Sequence, residues 1–124
     1  MPSIYVDFSE LKGKVIKKIV YEKKYCSAIE FHTDDKIYTL THEQDCCEQV
    51  YVEDICGSLE NLIGSPILLA EKVEGEIKEK SEDERILWTF YKLATIHESV
   101  TIRWYANLET YYSVDVDFYF NDKI

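Results

Sequence analysis

The chain has 124 residues, an apolar share of 46% and a net charge of −10, with 2 Trp, 10 Tyr and 5 Phe among its side chains. That is enough apolar and aromatic surface for one core in the roughly 100–150-residue range of single domains, so a disordered acidic tail is excluded. The negative balance disfavours direct binding to nucleic acid, which needs a basic face, and no apolar run approaches the ~20 residues that cross a bilayer.

In chain order, Met1-Pro2-Ser3-Ile4-Tyr5 has no basic region leading into an apolar run, which predicts no secretory leader and a reducing, cytoplasmic setting. Residues 4–8 are a short apolar stretch and Ser9-Glu10-Leu11-Lys12-Gly13 reads as a turn. Lys14 to Tyr21, rich in Val and Ile, predicts a strand, although positions 15, 16, 19 and 20 also suit one helical turn. Ser27 to His32 and Lys36 to Leu40 predict two strands with Thr33-Asp34-Asp35 as the hairpin turn.

Thr41 is positioned to cap a short helical turn through Cys47. A second helix is predicted near Glu53 to Ile63, because Ile55, Leu59, Leu62 and Ile63 fall on one helical face and Gly64 and Pro66 supply a stop. Ile67 to Val73 predicts a strand, and the charged stretch Glu74 to Glu84 a solvated turn or hairpin tip. Ile86 to Thr95 reads as a central strand. Val100, Ile102 and Trp104 alternate with polar neighbours, as do Val114, Val116, Phe118 and Phe120, the period-two pattern of strands with one buried face. The expected fold is therefore α+β: one domain over residues 1–124, an antiparallel sheet with one or two short helices inserted mid-chain.

The densest chemistry lies between Thr41 and Leu62, which holds six acids, no Lys or Arg, and three of the four cysteines. His42, Cys46, Cys47 and Cys56 are the soft ligand types that zinc takes in closed structural sites, and a Zn2+ staple suits a core of this size. His42 and Cys46 lie one helical turn apart, whereas Cys47 joins Cys46 only if the backbone breaks there. Inert core thiols and redox chemistry stand as alternatives. Asp45, His32 and His97 are reserve ligands, and Cys26 reads as structural. Elsewhere, Asp115 and Asp117 share a strand face, Arg103 sits between Ile102 and Trp104, and His97-Glu98 falls at a hairpin turn. No phosphate-binding Gly-rich loop, nucleophile elbow or H-E-x-x-H is present, so a metal-dependent enzyme is the third functional reading.

The segments His42-Glu43-Gln44-Asp45-Cys46-Cys47-Glu48, Val52-Glu53-Asp54-Ile55, Leu62 to Ile67, Trp88-Thr89-Phe90-Tyr91 and Val100 to Tyr105 resemble a family of small tailed-bacteriophage proteins, over about residues 37–114, with Tyr111-Tyr112-Ser113 as its aromatic ending. The segment 74–84 and the tail beyond Val116 fall outside that pattern. In size, charge and setting the chain is also similar to type II-A anti-CRISPR proteins, which block Cas9. These resemblances imply a zinc role for His42, Cys46, Cys47 and Cys56. They also imply a non-enzymatic inhibitor working in the host bacterial cytoplasm. Such an inhibitor would present Glu43, Glu48, Glu53, Asp54 and Glu60 to a basic protein partner such as the nucleic-acid channel of Cas9. The runner-up is a phage accessory module that binds another protein without touching CRISPR immunity.

Overall fold

A computed structural model describes residues 3–23 and 26–123. Lys24 and Tyr25, the neighbours of Cys26, lie outside the described residues, as do Met1 and Pro2 of the stretch read for a leader. The strands are β1 (Ile4–Tyr5), β2 (Lys18–Tyr21), β3 (Ala28–His32), β4 (Lys36–Thr41), β5 (Val50–Cys56), β6 (Leu69–Glu74), β7 (Lys78–Ser81), β8 (Glu84–Ala94), β9 (Ser99–Asn107) and β10 (Asp117–Asp122). They form two sheets, ordered β1-β10-β4-β3-β2 and β5-β9-β8-β6, every named pairing antiparallel, with β7 following β6 along the same edge of β8.

The α+β expectation is overturned. Among the described residues the only helical pieces are the 3-10 turns Phe8–Leu11 and Leu59–Leu62, four residues each. Where a helix was expected over 53–63, β5 runs to Cys56 and Gly57 turns the chain at φ +102°. A Cβ on Gly57 would also lie 2.8 Å from the Ser99 carbonyl oxygen, so glycine is required twice over. The misleading helical spacing has a specific source. A bulge between Val52 and Asp54 shifts the register against β9, so Ile55 falls opposite Ile102 and packs on the core. Leu59 and Leu62, three apart, share a face because side chains eclipse at that interval in a 3-10 turn. The turn expected from Thr41 through Cys47 is likewise absent: Thr41 ends β4 and a non-helical loop follows.

The strand expectations fared better, since alternation is a local signal. Val100, Ile102 and Trp104 are at most 1% exposed, and β8 is central between β9 and β6. The charged stretch forms the end of β6, all of β7 and the Glu82-Asp83 turn into β8. One core joins the sheets: Ile29, Phe31, Tyr38, Leu40 and Phe118 from the first meet Val50, Tyr91, Leu93, Ile102 and Trp104 from the second. Phe8 bridges them, its ring edge-on to Tyr91 at 5.0 Å and to Phe118 at 5.1 Å. Among the described residues no helix is long and apolar enough to cross a membrane.

Candidate functional site

Residues 42–49 link the two sheets, leaving β4 after Thr41 and entering β5 at Val50. Two buried polar side chains hold this loop. His42 and Glu48 are each 4% exposed, in a class of residues that is seldom buried without partners. The His42 Nδ1 lies 2.7 Å from the Asp115 carbonyl oxygen and Nε2 lies 3.0 Å from Glu48 Oε2. The carboxylate collects further donors: Asp45 N–H donates to Oε2 at 2.8 Å, Cys46 N–H to Oε1 at 2.9 Å, and the Gln44 amide to Oε1 at 3.2 Å. Gln44 also donates to the Glu48 carbonyl at 2.7 Å.

Burial works against charge on Glu48, but the backbone N–H groups of Asp45, Cys46 and Glu48 itself, together with His42, outweigh it and hold the carboxyl at about 2. An ionised carboxylate and a carbonyl can only accept, and each His42 nitrogen faces one of them. Neither ring nitrogen is then turned toward a metal.

The four expected zinc ligands do not converge. His42 is committed to Asp115 and Glu48. Cys46 and Cys47 are exposed, with their Sγ atoms 2.8 Å apart where the chain bends at both residues. Cys56 ends β5, and the strand from Val50 places it roughly 20 Å away along the sheet at ~3.3 Å per residue. Among the described residues, no group of three or more His, Cys, Asp or Glu side chains is placed to hold a metal ion. The zinc-stabilised part of the fold expectation is corrected with it, because no metal-holding group forms among the described residues. Of the reserve ligands, His32 faces Glu30 at 2.8 Å and His97 lies in the β8–β9 turn. Cys26 is 4% exposed in the core, where burial pushes its thiol up.

The five expected partner-binding acids divide. Glu48 faces inward. Glu53 accepts from Trp88 Nε1 at 3.0 Å and sits 2.9 Å from Arg103 Nε, an ion pair off the N–H line, with the guanidinium over the Trp88 ring at 6.0 Å. Glu60 accepts from the Tyr21 hydroxyl at 3.0 Å and from Ser58 at 3.2 Å. Glu43 and Asp54 are exposed.

The segment between β9 and β10, read from the sequence only for its Tyr111-Tyr112-Ser113 ending, for Asp115 and for the alternation of Val114 and Val116, completes the site. Residues 108–116, between β9 and β10, lie against the 42–49 loop. The contact runs through His42 to Asp115, and beside it the Asn107 N–H at the end of β9 donates to the Gln49 carbonyl at 3.0 Å. A cleft of about 620 Å³ opens between them, lined by Cys47, Gln49, Arg85, Glu109, Tyr111 and Tyr112. Tyr111 is fully exposed and Tyr112 is 42% exposed. Glu43, Asp45, Glu109 and Asp115 are exposed on the two loops, which hold no Lys or Arg. Arg85 reaches in from β8 and pairs with Glu109 at 2.7 Å. The available signal was the lack of any basic residue in both 41–62 and 104–122, stretches whose proximity the sequence does not reveal.

A domain of unknown function, DUF7448, matches residues 9–118. The chain belongs to the DUF7448 family. The matched stretch of the DUF7448 domain contains the buried His42–Glu48 pair, both loops and also the charged segment 74–84 that the phage resemblance left out. No curated protein and no solved structure matches the chain.

Proposed function

We propose that this DUF7448 protein is a non-enzymatic binding module that offers the paired loops 42–49 and 108–116 to a basic surface of a protein partner. The observation that carries the reading is the combination at this end of the molecule: exposed carboxylates with no Lys or Arg on the loops, two exposed tyrosines, and a buried carboxylate network beneath. Carboxylates steer a cationic partner and set orientation. Tyrosines supply contact area at low conformational cost and are enriched where binding energy concentrates. The network keeps the loop ordered before contact, which reduces the entropy lost on binding.

The finer reading comes from the resemblance and not from the fold. The module is a phage protein of the bacterial cytoplasm, and its partner is a nucleic-acid-processing defence enzyme whose positive channel it occupies, Cas9 being the first to try. A DNA-cleavage assay with guide-loaded Cas9 tests it. Inhibition that fades as salt rises, and that is lost in the Glu43→Lys/Asp45→Lys double variant, supports the reading. Unimpaired cleavage removes Cas9 as the partner. Inhibition that persists unchanged in the double variant removes the binding end itself.

A further inference from the structure

We propose that Cys46 and Cys47 form a reversible two-electron redox site, in which a hydroperoxide converts the neighbouring thiols to a disulfide between adjacent residues. This stands apart from the partner-binding reading and survives its failure.

Geometry singles out the pair. The two Sγ atoms sit 2.8 Å apart, in direct contact, and the chain bends at both residues. Both residues are exposed, so an oxidant reaches them from solvent. The competitors are excluded by place: Cys26 is buried in the core and Cys56 lies at the far end of β5. The loop holding the thiols is fixed from behind, because Cys46 N–H donates to Glu48 Oε1. Both thiols are open to solvent, so either can be oxidised first while the other resolves it.

The chemistry balances without any further component. With Cys46 as the first to react, its sulfur attacks one oxygen of hydrogen peroxide; the S–O bond forms, the O–O bond breaks, and the departing hydroxide takes up the thiol proton as water. The Cys47 sulfur then attacks the sulfenic sulfur, the S–S bond forms, and the second oxygen leaves as water with the Cys47 proton. Two thiols are oxidised and one peroxide is reduced to two waters. Neighbouring Cα atoms are ~3.8 Å apart, below the ~4.4 Å at which unstrained disulfides begin. The product is therefore strained, and strained exposed disulfides are the readily reduced, regulatory kind. Closing the small ring twists the 46–47 peptide, and the Cys46 N–H bond to Glu48 is the first contact to feel it.

The test uses the full-length protein, oxidised with limiting hydrogen peroxide, alkylated and mapped by mass spectrometry. Expected are a loss of about 2 Da on the peptide carrying both cysteines, no alkylation at Cys46 or Cys47, full alkylation at Cys56, and complete reversal by dithiothreitol. Phenylarsine oxide, a probe for close thiol pairs, should bind one per chain, and Cys46→Ser or Cys47→Ser should each abolish that binding while Cys56→Ser leaves it. Oxidation of Cys56 at the same rate, a disulfide linking two chains, over-oxidation of single sulfurs without ring closure, or arsenical binding that survives either serine variant would each overturn the proposal.

Discussion

The 42–49 loop and the 74–84 hairpin look alike in composition, both polar and acid-rich, yet the structure uses their carboxylates in opposite ways. In the hairpin, Glu76 before β7, Glu79 on it and Glu82 in the turn after it are all exposed, and every residue of β7 faces water. In the loop, Glu48 is drawn inside and surrounded by donors from His42, Gln44, Asp45 and Cys46. The difference is the supply of unpaired donors. A loop that crosses between sheets leaves backbone N–H groups without ladder partners, and a buried carboxylate satisfies several at once. The hairpin satisfies its own N–H groups by pairing β7 with β8. An edge strand lined with charge in turn resists pairing with other chains.

The contrast is sharpest for Glu48→Ala against Glu82→Ala. Removing Glu48 orphans the buried His42 Nε2 and two backbone donors, and thermal denaturation should show a fall in melting midpoint of more than ~10 °C. Glu82→Ala in the exposed turn should stay within ~3 °C. Equal losses in the two variants would break the comparison.

Acid titration of stability comes next. Glu48 is held at about 2 when folded, against an ordinary value of 4.5. A lowered carboxyl contributes stability that is fully present above 4.5 and drains away as pH falls from there through about 2, because the unfolded chain takes up the proton first. Melting midpoints measured across that window should drop in the parent and be flatter in Glu48→Gln. Substituting Gln for Glu at position 79 should leave the acid limb of the parent unchanged.

Charge reversal sharpens the functional side. Glu43→Lys with Asp45→Lys should weaken partner binding by about tenfold or more, mostly at low salt. Glu79→Lys with Glu82→Lys should change it little, since those acids sit in a segment already interspersed with Lys78 and Lys80. Calorimetry or a binding titration at two salt concentrations separates the cases. The smallest effect is expected from a chelator: with His42 committed to oxygen acceptors and Cys56 remote, the melting curve should not move. A chelator-induced drop would restore a structural metal and displace the polar network from its role.

Part of this architecture was readable in advance. Val100, Ile102 and Trp104, the β3–β4 hairpin with its Thr33-Asp34-Asp35 turn, and the charged tip at 74–84 all announce themselves, because strand alternation and turn chemistry act between near neighbours. The helical spacing of Ile55, Leu59, Leu62 and Ile63 misled for the same reason. A bulge and a 3-10 turn both imitate helical periodicity, and only pairing with β9 reveals which is present.

The sequence determined by itself that an acid-rich, base-free segment with clustered thiols sits in mid-chain, and that most of the molecule alternates as strand. Tertiary structure alone decided which carboxylate went inside, that His42 would meet Asp115 from 73 positions away, and that the tyrosines of 108–116 would share an end with the thiols. Burial and hydrogen bonding depend on what the chain brings alongside from a distance, and a local pattern carries no record of that.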